Sequence, residues 1–422
     1  PQERTPQQFR AAVDMVLIDC VVLDDSGNFV HGLTRDDFRL SEEGDEVEIT
    51  LFSEQHYGAP PAPPVAESTA DAPASDTVVA LPRYLVVFVD AFNTAPGEWD
   101  RLRPALVTYM RESLTTNDRV LVAILTPDGQ LRVAPEFTSS AGVLESTLGY
   151  IQGNPEIRER TRQNERQLVS SLQAESVAAG GGDSASSAGE ATALRTGAAL
   201  AGFFALERRD QVLHTLDTMT SLAEHLDRTQ DITGPKTMLF VSGGLPEQPG
   251  SNYYYILDEY AEQSGALDRN EPGVGGYNPA MNRTSNNSVQ QYITATVGKL
   301  NRLNYTVYAI DARGAADFSG DGAANATRTP ISPEARTHVF QDAQNGLGTI
   351  ARATGGLSFT GTNNFDTAMA RMHADTAYRY VLGYVPPEHS AKDIENGKFF
   401  RVQVALTRPG LTVRAREGYV QK

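Results

Sequence analysis

A single cysteine, Cys20, in 422 residues removes two classes of architecture at the outset. One thiol cannot build an internal disulfide framework, and it cannot supply a cysteine-based zinc site. It lies inside the apolar run MVLIDCVVL, where a small buried hydrophobe is its expected role. No apolar run is long enough to span a bilayer, so no transmembrane segment is expected. Catalytic signatures are missing as well. There is no Gly-x-Ser-x-Gly elbow, no His-Glu-x-x-His, and no glycine-rich loop with a lysine to cradle phosphate. The seven histidines are scattered. The glycines Gly180, Gly181 and Gly182 follow no strand and read as a linker.

Positive charge is also in short supply. Against 53 acidic residues the chain has 36 lysines and arginines, a formal net charge of −17. Such a chain repels nucleic acid phosphates and anionic lipid, so neither is an expected partner. Cations and basic surfaces remain compatible with it. The sequence opens at Pro1 with no signal peptide. The expectation is a mature protein from which an export signal has been removed, located in the periplasm or secreted.

What is present divides the chain into β, α/β and β again. Residues 1–57 form an N-terminal β segment: VDMVLIDCVVL is a long strand, Asp25-Ser26-Gly27-Asn28 a turn, and further strands follow on either side of Glu43-Gly44-Asp45. Residues 58–80 are rich in Pro and Ala and read as a solvated linker. From residue 81 to residue 379 strands alternate with helices, which specifies a doubly wound, mostly parallel sheet covered on both faces. RYLVVFVD, DRVLVAILTPD, KTMLFVSGG and YTVYAIDARG are its strong strands, and QLRVAPEFT is a shorter edge neighbour. The charged segment PEIRERTRQNERQLVSSL lacks a wide apolar stripe, and the Gly/Ser/Ala run after it reads as a mobile loop. Residues 380–422 return to β structure. Neither β flank has a convincing core alone, so the two are expected to pack together as one β-sandwich with the α/β domain inserted between them.

An ordered set of stretches resembles a known family. DCVVLDDSGNFVHGLTRDDFRLSEEGDEVEITLF, the strand ending in VDAFNT, LGTIARATGGLSF, and the closing YVLGYVPP and GKFFRVQVALTRPGLTVRAREGYV together look like the von Willebrand factor type A-related domain proteins of the acidobacterial type. The resemblance implies a doubly wound α/β domain, export from the cytoplasm, and binding in place of catalysis.

Type A domains often carry a metal-ion-dependent adhesion site whose first motif is Asp-x-Ser-x-Ser, a set of hard oxygen donors suited to Mg²⁺ or Ca²⁺. Here that position reads Asp90-Ala91-Phe92-Asn93-Thr94. Asp90 is kept, Thr94 can replace the last serine, and Phe92 offers no donor. The aspartate expected after the later core strand is Ser242, and the loop threonine is Thr192 or Thr196. The metal candidates are therefore Asp90, Thr94 and Ser242, as a degenerate site that holds no ion or binds Mg²⁺ or Ca²⁺ weakly. The bland alternative is a strand-end carboxylate accepting loop hydrogen bonds. Carboxylates around Asp317 suggest a surface turn, with a calcium loop as the alternative.

Tyr253, Tyr254 and Tyr255, in a tyrosine-rich excursion after the strand bearing Ser242, are candidate partner-binding residues, because tyrosine is enriched in interfaces. Packing on the domain's own helices is the competing role. Two functions fit these features. One is a non-catalytic protein-binding or scaffold protein, a subunit of an envelope or extracellular assembly. The other is a metal-assisted hydrolase using carboxylates at the sheet edge.

Overall fold

The computed structural model describes residues 15–57, 82–178, 183–230, 232, 235–264, 288–315 and 332–421. The expected linker, the glycines at 180–182 and the Asp317 turn lie outside these residues. The flanks hold β1 (Val16–Leu23), β2 (Phe38–Glu42), β3 (Asp45–Val47) and β4 (Leu51–His56) at one end of the chain. At the other end come β11 (Tyr378–Tyr384), β12 (Phe399–Leu406), β13 (Thr412–Ala415) and β14 (Gly418–Val420), with the short helix α9 (Ala391–Glu395) between β11 and β12. The two flanks pair strand to strand. One antiparallel sheet runs β13-β1-β11-β4 and the other β14-β12-β2-β3. Val16 faces Tyr384 across the first, and Leu40 faces Val404 across the second. Alternate side chains of both sheets, among them Ile18, Cys20, Leu40, Tyr380, Leu382 and Phe400, meet in a shared buried core. This is the sandwich arrangement in which each sheet covers the other's apolar face.

Between the flanks lies a six-stranded sheet in the order β10-β9-β8-β5-β6-β7. Its strands are β5 (Arg83–Asp90), β6 (Asp118–Leu125), β7 (Leu131–Val133), β8 (Lys236–Ser242), β9 (Tyr305–Asp311) and β10 (Ser358–Phe359). All are parallel except β7, the antiparallel edge strand. Val86 and Phe88 of β5 face one helical layer, and Leu85, Val87 and Val89 face the other. The first layer contains α4 (Asp183–Thr229), α6 (Gln290–Arg302) and α7 (Pro333–Ala353). The second contains α1 (Pro96–Glu112), α2 (Ala141–Gly149) and α8 (Phe365–Ala377). The side-chain period of two on β5, apolar on both faces, is what a parallel strand covered by two helical layers requires. Buried Asn301 of α6 ties the two parts of the molecule together, its amide donating to the carbonyls of Ala353 (3.0 Å) and Gly418 (2.6 Å).

One segment differs from its sequence-based expectation. The run after residue 182 is helical, because α4 begins at Asp183 and continues for 47 residues. Alanine favours helix, and a helix already packed along its length extends readily through serines. At 1.5 Å per residue it is about 70 Å long, far more than the sheet's width demands. Its carboxyl half, from Val212 to Leu226, packs on the sheet, and its amino half packs with α3 (Ile157–Ala178) and α5 (Ser251–Gln263) in a satellite core. The charged segment is α3, and its narrow apolar stripe, Leu168 and Leu172, is fully buried there. A narrow stripe suffices because α3 lies on helices and not on a broad sheet.

Candidate functional site

Strand order reverses direction between β5 and β8. From β5 the chain builds outward to β6 and β7, then returns to the other side for β8, β9 and β10. Crevices at such switch points, outside the carboxyl ends of the strands, are where ligands bind in open α/β sheets. Three polar residues end the central strands here in one register row: Asp90 beside Ser242, and Ser242 beside Asp311. All three are fully buried.

Asp90 is enclosed by hydrogen bonds. The Ser242 hydroxyl donates to one carboxylate oxygen at 2.7 Å, and the Asn93 side-chain amide donates to the same oxygen at 2.9 Å and to the other at 3.2 Å. The Asn93 backbone N–H adds a contact at 3.2 Å. Asn93 is the hub of the arrangement. Its amide also donates to the Thr215 hydroxyl at 2.9 Å, and its carbonyl accepts from the Arg208 guanidinium at 2.7 Å. The Thr94 hydroxyl turns back to the Asp90 carbonyl at 2.7 Å. Burial pushes the Asp90 carboxyl up from its ordinary value, opposed by hydrogen bonds from Ser242 and Asn93 and by the charge of Arg208.

That donor set does not suit a hard divalent cation, which needs several free oxygen ligands. Both Asp90 oxygens accept from neighbouring donors, the Thr94 hydroxyl is committed to the backbone, and a guanidinium sits against the hub. Among the described residues, no group of three or more His, Cys, Asp or Glu is disposed to hold a metal. Thr192 and Thr196 are exposed on α4. The threonine that meets the Asp90–Asn93 pair is Thr215, further along the same helix.

Arginine surrounds this edge. Arg158, from the start of α3, donates twice to Glu98 (2.7 and 3.0 Å) and to the Gly243 carbonyl at 3.2 Å. Arg313, two residues past β9, forms a fork on Asp311 with both contacts at 2.9 Å, and its guanidinium lies 4.1 Å from the Phe340 ring centre. Arg208 donates to Asn93 and to Gln211, each at 2.7 Å. Burial, and then the neighbouring charge of Arg158, push Arg208 down to about 10, so it remains charged at neutral pH. These three, with Arg336 of α7, line a cleft of about 360 Å³ whose floor includes Gly243. The long helix explains how Arg208 arrives there: α4 passes the sheet edge between its sheet-bound and satellite halves.

The sequence reading singled out Asp90, Thr94 and Ser242, and the fold brings them together. It did not single out Asn93, Asp311 or the arginines. The Asp-Ala-Arg at the end of β9 was a visible signal, since a strand-end carboxylate with an arginine two residues on can close a fork. Arg158 and Arg208 carried none, because their positions depend on how far two helices overrun the sheet. The tyrosine-rich segment is the helix α5 and not a projecting loop. Tyr253 is only 3% exposed, packs against Phe204, and accepts from Asn164 at 3.3 Å, which corrects its placement on a partner-facing surface. Tyr254 and Tyr255 are half-buried against the same satellite core.

The class defined by these features is an α/β domain with a polar, arginine-lined switch-point crevice, carried on a sandwich made by the two ends of the chain. No family model matches the chain, and no curated protein matches it. Among solved structures it aligns with an aerotolerance-related membrane protein from Bacteroides fragilis NCTC 9343 bearing multiple mutations to serines. That identity is 10%, over 70% of this chain and 98% of the other, with a TM-score of 0.31. It also aligns with three N-terminal domains of the type V pili tip protein Mfa5 from Porphyromonas gingivalis. There the identity is 11%, over 79% of this chain and 56% of the other, with a TM-score of 0.33. Likenesses this distant carry no argument about what this chain does.

Proposed function

We propose that the chain is a non-catalytic protein-binding or scaffold protein, exported to the periplasm or beyond, and a subunit of an envelope or extracellular assembly. Its α/β domain is of the von Willebrand factor type A kind and docks a protein partner at the carboxyl edge of the sheet. The adhesion-type metal site is degenerate, and docking proceeds without Mg²⁺ or Ca²⁺. One observation carries this reading: Asp90, the single carboxylate kept from the metal motif, has both oxygens hydrogen-bonded by Asn93 and Ser242. A carboxylate so engaged serves neither as a metal ligand nor as a general base without breaking the hub. The engaged state of Asp311, held by Arg313 and Gln344, weighs against a two-carboxylate hydrolase in the same way. Tyr254 and Tyr255 remain as candidate partner contacts.

Calorimetric titration with Mg²⁺ and with Ca²⁺ tests the degenerate site. No saturable binding is expected at millimolar concentration, and a partner captured from the native organism should stay bound in EDTA. Micromolar cation binding abolished by Asp90→Ala would overturn the proposal.

A further inference from the structure

We infer that the cleft above the carboxyl edge is a carboxylate-binding site, in which the guanidinium groups of Arg208 and Arg336 receive an acidic group borne on a short hydrocarbon stem. The inference rests on the binding role proposed for this edge and names the chemistry of its ligand.

Four arginines converge on a single cleft of about 360 Å³ in a chain whose net charge is −17. Their internal partners account for only half of that charge. Arg158 is paired with Glu98, and Arg313 with Asp311. Among the described residues, Arg208 and Arg336 form no ion pair with a carboxylate. Among the described residues the Arg336 side chain makes no hydrogen bond either, and its buried Nε is left without an acceptor. A buried guanidinium donor without a partner is costly, and proteins seldom retain one without a use for it.

The two remaining acids in the wall are each engaged by a neighbour. Glu165 is hydrogen-bonded by the Asn252 amide at 2.8 Å, and Asp342 by the Gln248 backbone N–H at 3.1 Å. Burial raises both carboxyls toward their protonated forms, Asp342 to about 6. Residues 250–253 also line the cleft, so the amino end of the 13-residue helix α5 opens onto it and adds a positive dipole end.

The shape of the cleft selects among anions. Pro246, Val339, Phe340 and Ala343 form an apolar side that suits methylene groups and not a bare inorganic ion. Guanidinium forks match the plane of a carboxylate, and the volume sits at the small end of ligand pockets, enough for one residue-sized group. Free dicarboxylates and the acidic side chains of a protein partner share this chemistry.

The test is calorimetric titration of the full chain at low ionic strength with three probes: succinate, a short oligo-glutamate peptide, and inorganic phosphate. Saturable binding of succinate or of the peptide is expected, weakened at least about tenfold by Arg336→Gln. Among the described residues the Arg336 side chain has no hydrogen bond to lose, so this variant should keep the wild-type melting temperature, which is checked alongside. Arg352→Gln, the same charge change at an exposed site, should bind as the wild type does. Peptide binding that succinate competes away assigns the site to a partner's acidic side chain, and succinate binding alone assigns it to a free dicarboxylate. Phosphate bound as tightly as either would overturn the inference, as would no binding or equal binding by Arg336→Gln. The cation titration of Asp90 reads a different ligand, so failure here leaves the proposed function to stand or fall on its own test.

Discussion

Asp342 offers a quantitative handle on the cleft. It lies on α7 in a setting where burial, followed by the nearby charge of Glu247, outweighs the hydrogen bonds that its oxygens accept. Its carboxyl is raised from 3.8 to about 6 in the folded chain. Below the unfolded value both states are protonated and the group costs folding nothing. As pH rises from about 4 to about 6 the unfolded chain releases its proton first, and stability falls through that window. The whole difference corresponds to about 3 kcal/mol at neutral pH, trimmed to about 2 kcal/mol because Asp342 keeps part of its surface in solvent. Asp342→Asn keeps an acceptor for the Gln248 N–H and removes the charge. It should stabilise the protein by about 2 kcal/mol at pH 7.5, with the gain shrinking to nothing near pH 4. Urea denaturation of both proteins at a series of pH values from about 4.5 to about 8, which spans the linkage window and its plateau, measures this directly. The same variant should tighten succinate binding at pH 7.5, since an ionised Asp342 repels the ligand. A stability difference independent of pH, or a loss of stability at pH 7.5, would refute the argument.

Other expectations follow from packing. Tyr253→Ala should cost about 3–5 kcal/mol, as for other large buried rings, whereas Tyr254→Ala at a half-buried position should cost about 1 kcal/mol. Equal losses in thermal melts would mean that Tyr253 is not the inward-facing member. Deleting residues 380–422 removes most of β11 together with all of β12 and β13, and so takes away nearly all of β1's pairing and the β12 partner of β2. Hydrogen exchange across residues 16–23 should rise towards the unfolded rate in that truncated chain. Unchanged protection there would show that the N-terminal strands hold together without the C-terminal ones.

The sequence by itself determined the elements whose signals are local. The apolar runs of β5, β8 and β9, with side chains buried on both faces, could only be strands of a covered parallel sheet. The alternating Phe400, Val402 and Val404 of β12 required a half-buried antiparallel one. Asp90 and Ser242 were legible as a pair for the same reason, because the last residue of each central strand falls at the same edge. Tertiary structure alone decided what surrounds that edge. Arg158, Arg208, Arg313 and Arg336 come from four places in the chain, between residues 158 and 336, and no spacing rule connects them. Their meeting depends on the length by which α3 and α4 overrun the sheet and on where α7 crosses it, which only side-chain packing fixes. The same is true of Tyr253: a run of three tyrosines looks like a surface until the helix phase of α5 turns the first of them against Phe204. Strand periodicity is written in neighbouring residues, whereas a charged cleft is assembled from distant ones by the packing between helices.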